Sequence, residues 1–146
     1  MKAVIQRTKR TLLSVEGEKI AEIPFGLTVF LGVGKGDSRV QADYIAKKTA
    51  GLRIFEDAAG KMNLSVKDVG GEILLVSQFT LYGDCSRGYR PSFTAAEEPV
   101  AAKSLYEYVA EALRGYGITV KTGMFGADMQ IHQHNDGPVT VLLESV

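Results

Sequence analysis

The sequence predicts an α/β fold: a single compact domain of mixed β-sheet layers, with two main helices packed on one face. Three observations lead there. Runs rich in β-branched and aromatic residues recur from end to end, enough for about eight or nine strands, whereas only two segments show helical periodicity. Each of those two segments carries its own start and stop signals. With 146 residues and no internal repeat, low-complexity segment or linker, the chain makes one domain, residues 1–146. A chain of that size buries about 68 to 70% of its unfolded surface, which is enough for a real core. The helices are expected to cover one sheet face and a second sheet layer the other.

In chain order, residues 1–7 read as a short strand, and residues 12–16 with 19–23 as a hairpin turning near Gly17. GLTVFLGV at 26–33 is a nearly continuous apolar run, the pattern of a central strand. Ser38 followed by Gln41 fits a capping box, and Val40, Tyr44 and Ile45 supply an apolar stripe, so residues 38–50 are expected to be helical. A strand at 52–55 and a loop at 56–71 follow. Residues 72–76 then read as a strand buried on both faces. Residues 83–93, polar and containing Gly, Arg and Pro, read as an exposed functional loop. Pro99 opens the second helix, with Ala101, Leu105, Tyr108 or Val109, and Ala112 as its stripe until Gly115 and Gly117 stop it. Strands at 118–124, 128–134 and 139–143 close the sheet.

Composition narrows the function classes. Cys85 is the only cysteine, so no internal disulfide forms, and a reducing cytoplasm is the simplest compartment. The first residues carry Lys2, Arg7, Lys9 and Arg10 without a long apolar segment, which supports neither a signal peptide nor a membrane association. Lys and Arg number 17 against 17 Asp and Glu, so global electrostatics supply no affinity for nucleic acid. Any such affinity has to come from local groups: Arg7, Lys9 and Arg10; Lys47 and Lys48; or Arg87 and Arg90.

The chain is organised around EILLVSQFTLYGD at 72–84, where an apolar strand walks into a polar cluster. Ser77, Thr80 and Cys85 are its nucleophile candidates, but no GxSxG elbow surrounds any of them. In the plainer reading, Ser77 and Thr80 satisfy backbone groups at a strand end. His132 and His134, the only histidines, would point to one strand face as a metal pair requires. Zinc needs three or four ligands and no third His or Cys stands at useful spacing, so no metal and no cofactor are expected. They read instead as residues of a solvated face.

A second cluster of turn-forming residues, NDGPVT at 135–140, answers the first. SQFTL at 77–81 with NDGPVT resembles the D-aminoacyl-tRNA deacylases. The resemblance runs through IQR at 5–7, LRIF at 52–55, GKMN at 60–63, RPSF at 90–93 and FGADM at 125–129. It covers essentially the whole chain; the histidines before NDGPVT depart from it. It implies hydrolysis of the ester of D-aminoacyl-tRNA, and of glycyl-tRNA, in chiral proofreading. It also implies a homodimer with the active site near the subunit interface, and the aminoacyl-tRNA acceptor end as partner, with no DNA expected. By the motif, Ser77, Gln78, Phe79 and Thr80 form the catalytic pocket, Gly137 and Pro138 select the amino acid, Arg7 supports that dipeptide and Met129 helps hold the terminal adenosine. In such enzymes the neighbouring 2′-hydroxyl of the RNA is thought to assist, which fits a sequence without a triad. Backbone N–H groups near 77–80 would then stabilise the oxyanion, each worth about 2.7 to 4 kcal/mol. A deacylase clearing an L-amino acid, or a non-enzymatic nucleic-acid-binding protein, would share the scaffold.

The Gly137-Pro138 bond is expected to be cis, because an X-Pro bond takes that form for only about 0.5 to 1 kcal/mol. Two carbonyl oxygens facing the same way would accept from a substrate ammonium while the backbone blocks an L side chain.

Overall fold

The computed structural model describes all residues, 1–146. Its elements are β1 (Lys2–Val15), β2 (Glu18–Ile23), β3 (Gly26–Gly32), α1 (Arg39–Gly51), β4 (Phe55–Glu56), β5 (Met62–Leu64), β6 (Glu72–Ser77), α2 (Pro99–Gly115), β7 (Val120–Thr122) and β8 (Gln130–Glu144). A single 3-10 turn, Phe79–Tyr82, follows β6. The main sheet runs β2-β1-β3-β6-β7, with β8 also paired to β1. β3, β6 and β7 are mutually parallel, and the β1 pairings are antiparallel.

The apolar run of β6 explains this architecture. Ile73 and Leu75 enter a core shared with α1 and α2, whereas Leu74 and Val76 enter a second cluster with Leu13, Ala21 and Ile23. All four are fully buried or nearly so, each contributing about 1.5 to 3 kcal/mol by leaving water. No separate second sheet covers the face away from the helices. Instead the main sheet curls, bringing β2 back toward β6 and β7.

Two expected breaks are absent. Residues 2–7 and 12–15 belong to one strand, β1, and residues 130–134 and 139–143 are joined in β8. The polar residues between them stay extended because each strand gives the other a ladder partner almost throughout, Lys2 against Glu144 and Ser14 against Gln130. The conflict between polarity and pairing is resolved by register shifts between Gln6 and Thr8 and between Thr8 and Arg10. The expected strand at 52–55 begins only at Phe55, and the expected loop at 56–71 contains β5. Asp57 organises that small hairpin: its carboxylate accepts from the Asn63 side chain and from the Ala59 and Lys61 N–H groups. The Asn63 bond, chiefly, holds this carboxyl below the usual range.

Both helices form as expected, with their buried stripes displaced. On α1 the buried residues are Ala42, Ile45, Ala46 and Thr49, while Val40 is exposed. On α2 they are Ala102, Tyr106, Val109, Ala110 and Leu113, leaving Leu105, Tyr108 and Ala112 as partly buried flanks. Alanine recurs among the buried residues of both helices, and α1 and α2 lie close against each other. At the other edge of the core the Met1 ammonium is buried, donating to Asp37 Oδ1 at 2.7 Å and Ser145 Oγ at 2.6 Å. Asp37 Oδ2 accepts from the Gly34 N–H at 2.6 Å. A Cβ on Gly34 would stand 2.5 Å from the Tyr82 ring, so glycine is required where that ring closes over the turn.

The capping box is present as expected, with Val40 N–H donating to Ser38 Oγ and Ser38 N–H to Gln41 Oε1. Ser38→Ala is expected to cost about 1 kcal/mol, measured as a lowered midpoint in urea denaturation at unchanged slope.

Candidate active site

Ser77 ends β6 at the carboxyl side of the parallel strands, where ligands bind in open α/β sheets. Gln78 then leaves the extended conformation (φ −146°, ψ 76°), while its N–H still reaches the Leu31 carbonyl at 2.8 Å. This contact anchors the polar step to β3. In the 3-10 turn Leu81 N–H donates to Gln78 O, and Gly83 N–H to Thr80 O. The first N–H groups of a helical turn have no partner within it, which leaves those of Phe79 and Thr80 available. Phe79 is held at its edge by Phe93, with ring centroids 5.2 Å apart. The polar cluster that follows the strand is thus folded as this turn.

A cleft of about 280 Å³ opens beside Ser77, Gln78 and Phe79. Leu31, Val33 and Val76 form its sheet side, Ala102 and Tyr106 its helix side, and Phe125, Met129 and Ile131 its far wall. The lining is largely apolar, with the few polar groups gathered at the strand end, as small-molecule sites commonly are. Tyr106 carries the wall structurally: its hydroxyl donates to the Leu75 carbonyl at 2.8 Å, and burial pushes its pKa well above the ordinary tyrosine value. The phenol therefore stays protonated at physiological pH and serves as a fixed donor.

Thr80 does not line this cleft. Its hydroxyl accepts from the Gln78 side chain at the exposed edge of the turn. His132 and His134 are exposed on one face of β8, in a shallow groove with Arg10, Leu12 and Gln133, and so supply no base to Ser77. No three His, Cys, Asp or Glu side chains gather as a metal site would require. Cys85 is exposed in the following loop.

The second motif lies elsewhere in the chain. Arg7 is only 7% exposed, with Nη1 donating to the Ile54 carbonyl at 2.7 Å and Nε to the Asp136 carbonyl at 3.3 Å. The same Nε lies 3.3 Å from Asp136 Oδ2. Arg7 thus pins the start of the Gly137-Pro138 segment and is not a surface cation, contrary to its grouping with Lys9 and Arg10 as a nucleic-acid patch. Arg10 is likewise engaged, by Glu22 at 2.6 Å. Gly137-Pro138 is cis, and both residues are exposed. Gly137 has φ +123°, and a Cβ there would come within 2.9 Å of Val139 Cγ2 and 3.2 Å of Arg7 Nη2. Only glycine fits this position without displacement.

Register separates the two motifs. Arg7 pairs with Leu27, and Leu27 with Ile73, four residues before Ser77. That is about 13 Å along the strands, with three strand spacings, about 14 Å, across the sheet from β8 to β6. Within one chain Ser77, Gln78, Phe79 and Met129 come together, whereas Arg7, Gly137 and Pro138 form a separate exposed prong.

The family model for D-Tyr-tRNA(Tyr) deacylase matches residues 4–144. The chain belongs to this family. It is 56% identical to a D-aminoacyl-tRNA deacylase of Thermotoga petrophila, over 99% of this chain and 97% of that protein. It is 54% identical to one from Myxococcus xanthus, over 99% and 95%. Among solved structures, the c-Myc DNA Unwinding Element Binding Protein superposes with a TM-score of 0.94 at 42% identity, covering 100% of this chain and 99% of that one. A probable eukaryotic D-amino acid tRNA deacylase shares the fold, with a TM-score of 0.83 at 15% identity and 97% of each chain covered. The residues that sequence reasoning missed in this deacylase-family cleft are Tyr106 and Phe125. Both sit in ordinary apolar patterns, Tyr106 on α2 and Phe125 in the turn after β7, and only the packing of α2 against β6 and of the two rings on each other brings them to the cleft.

Arg7→Ala removes the partner of two carbonyls and a carboxylate at once. It is expected to destabilise the protein by about 2 to 3 kcal/mol, read from denaturant unfolding, and Asp136→Asn by less because that carboxylate is partly solvated.

Proposed function

We propose that this chain hydrolyses the ester between a D-amino acid, or glycine, and the terminal ribose of tRNA, acting in chiral proofreading in the cytoplasm. The observation that carries the reading is an apolar cleft whose rim offers backbone N–H groups but neither an imidazole nor a clustered metal-ligand set. The names of its relatives point to the same substrate. In this mechanism Ser77 and Gln78 orient the ester, and the N–H groups of Phe79 and Thr80 receive the developing oxyanion. The RNA's own 2′-hydroxyl assists the attacking water, and Met129 lies against the adenosine.

Chirality is read by the Gly137-Pro138 prong. Because it stands far from the cleft of its own chain, the reading needs a homodimer in which each subunit's prong completes the other's pocket. The exposed β8 face that bears the prong also bears Leu142, 79% exposed, which supports a partner there. Glycine has no side chain for the prong to exclude, so it is accepted with D-amino acids.

Hydrolysis of D- and L-tyrosyl-, glycyl- and L-alanyl-tRNA tests the proposal: the D-tyrosyl and glycyl esters are expected to be cleaved and the L esters spared. Comparable cleavage of L-alanyl-tRNA would favour the L-clearing alternative. No cleavage of any ester would favour a nucleic-acid-binding role, a reading to which the name of the 42% identical neighbour lends some weight. Thr80→Ala, which keeps its N–H, and Cys85→Ala are expected to stay within about tenfold of wild type, less than about 1.4 kcal/mol of barrier. Gly137→Ala is expected to abolish D-tyrosyl-tRNA hydrolysis while circular dichroism shows it folded. Sedimentation is expected to give a dimer; an active monomer would contradict the shared pocket.

A further inference from the structure

We propose that residues 84–93 form a docking arm for the single-stranded nucleotides that precede the esterified adenosine. Three independent observations carry it. The arm is rooted in the cleft wall: Asp84 and Ser92 exchange backbone hydrogen bonds at 2.8 and 2.9 Å, and Phe93 holds Phe79 edge to face. The arm therefore springs from beside the residue that lines the cleft.

Its cations are unspent. Every other arginine is engaged: Arg7 by Ile54 and Asp136, Arg10 by Glu22, Arg39 by the Tyr108 ring, Arg53 by Asn63, and Arg114 by Glu111 and Val120. Arg87 and Arg90 are exposed and have no such engagement. No acidic residue occurs from Cys85 to Ala96, so this is a local positive site on a chain of zero net charge. Between the two arginines stands Tyr89, whose side chain is completely exposed.

A solvated aromatic flanked by unpaired guanidinium groups is the combination that binds single strands, the ring stacking on a base and the cations meeting phosphates. Paired bases within a duplex offer the ring no free face, and the carboxylates of an acidic peptide would meet the cations but leave the ring unused. The inference rests on the reading of the cleft as an aminoacyl-RNA site, because an RNA terminus seated there has to leave past its rim. Asp84 fixes the geometry at the root: its carboxylate accepts from the Ser86 N–H, which holds its pKa below the usual range.

The test compares wild type with Arg87→Ala/Arg90→Ala and with Tyr89→Ala on D-tyrosyl-tRNA and on D-tyrosyl-adenosine, which lacks the preceding nucleotides. Each variant is expected to raise KM for the tRNA by about tenfold with kcat unchanged, and to cleave D-tyrosyl-adenosine as wild type does. In the double variant the dependence of log KM on log salt should flatten by about 1.4, for two lost phosphate contacts on a single strand. Variants equal to wild type on tRNA would overturn the arm. So would variants that lose D-tyrosyl-adenosine hydrolysis as well, because the segment would then merely brace Phe79. If wild type cleaves neither ester, the cleft reading fails by itself, and titration with an uncharged single-stranded oligoribonucleotide judges the arm: weaker binding by both variants supports it, and equal binding overturns it.

Discussion

The removal of β6 from water on both faces is the constraint on which the rest depends. A strand with Ile73 and Leu75 on one side and Leu74 and Val76 on the other has no solvated face, so the fold has to build two apolar layers around it. The helices form one and the curl of the sheet forms the other. Ser77 is then the first residue at which the chain leaves both layers. A polar step at that point inherits the rigidity of a strand while facing an opening, so its backbone N–H groups are held in place.

Charge is arranged to the same end. A chain with equal numbers of acids and bases has most of its arginines committed to structure, and the clearest case is Arg7, whose guanidinium links Ile54 to Asp136 across two elements. Such buried links are costly to desolvate and are justified by what they fix in place. Here they fix the backbone beside an exposed glycine at φ +123°. Arg87 and Arg90, exposed together in one loop, are the exception to this commitment of arginine to structure.

Much of this was legible in the residues, and the failures have physical causes. The β6 burial, the Ser38 capping box, the start of α2 at Pro99 and the strand-end position of Ser77 all rest on local patterns. The cis geometry at Gly137-Pro138 was also expected. Continuity of β1 and β8 was hidden because Thr8-Lys9-Arg10 and Asn135-Asp136-Gly137 look like turns, and pairing between distant strands overrides local preference. The burial of Arg7 was hidden for the same reason: nothing nearby in sequence says that Ile54 and Asp136 converge on it. Nor could the motifs reveal that SQFTL and NDGPVT stand apart within one chain. The shift of the helix stripes by one or two positions reflects alanine, which patterns weakly but packs closely.

The pairing of β1 with β8 also has a consequence for biogenesis. Lys2 lies beside Glu144, so β1 completes its ladder with β8, a strand distant from it in sequence. During translation β1 can find β2 and β3, but one edge stays open until residues 130–144 have left the ribosome. Contacts of such sequence separation are slow to form, and an open edge in the meantime invites association with other chains. Lys9 and Arg10, exposed in the middle of β1 where its register is irregular, place charge on that waiting edge. The two cations that first suggested an RNA surface are thus well placed to keep the nascent strand from aggregating.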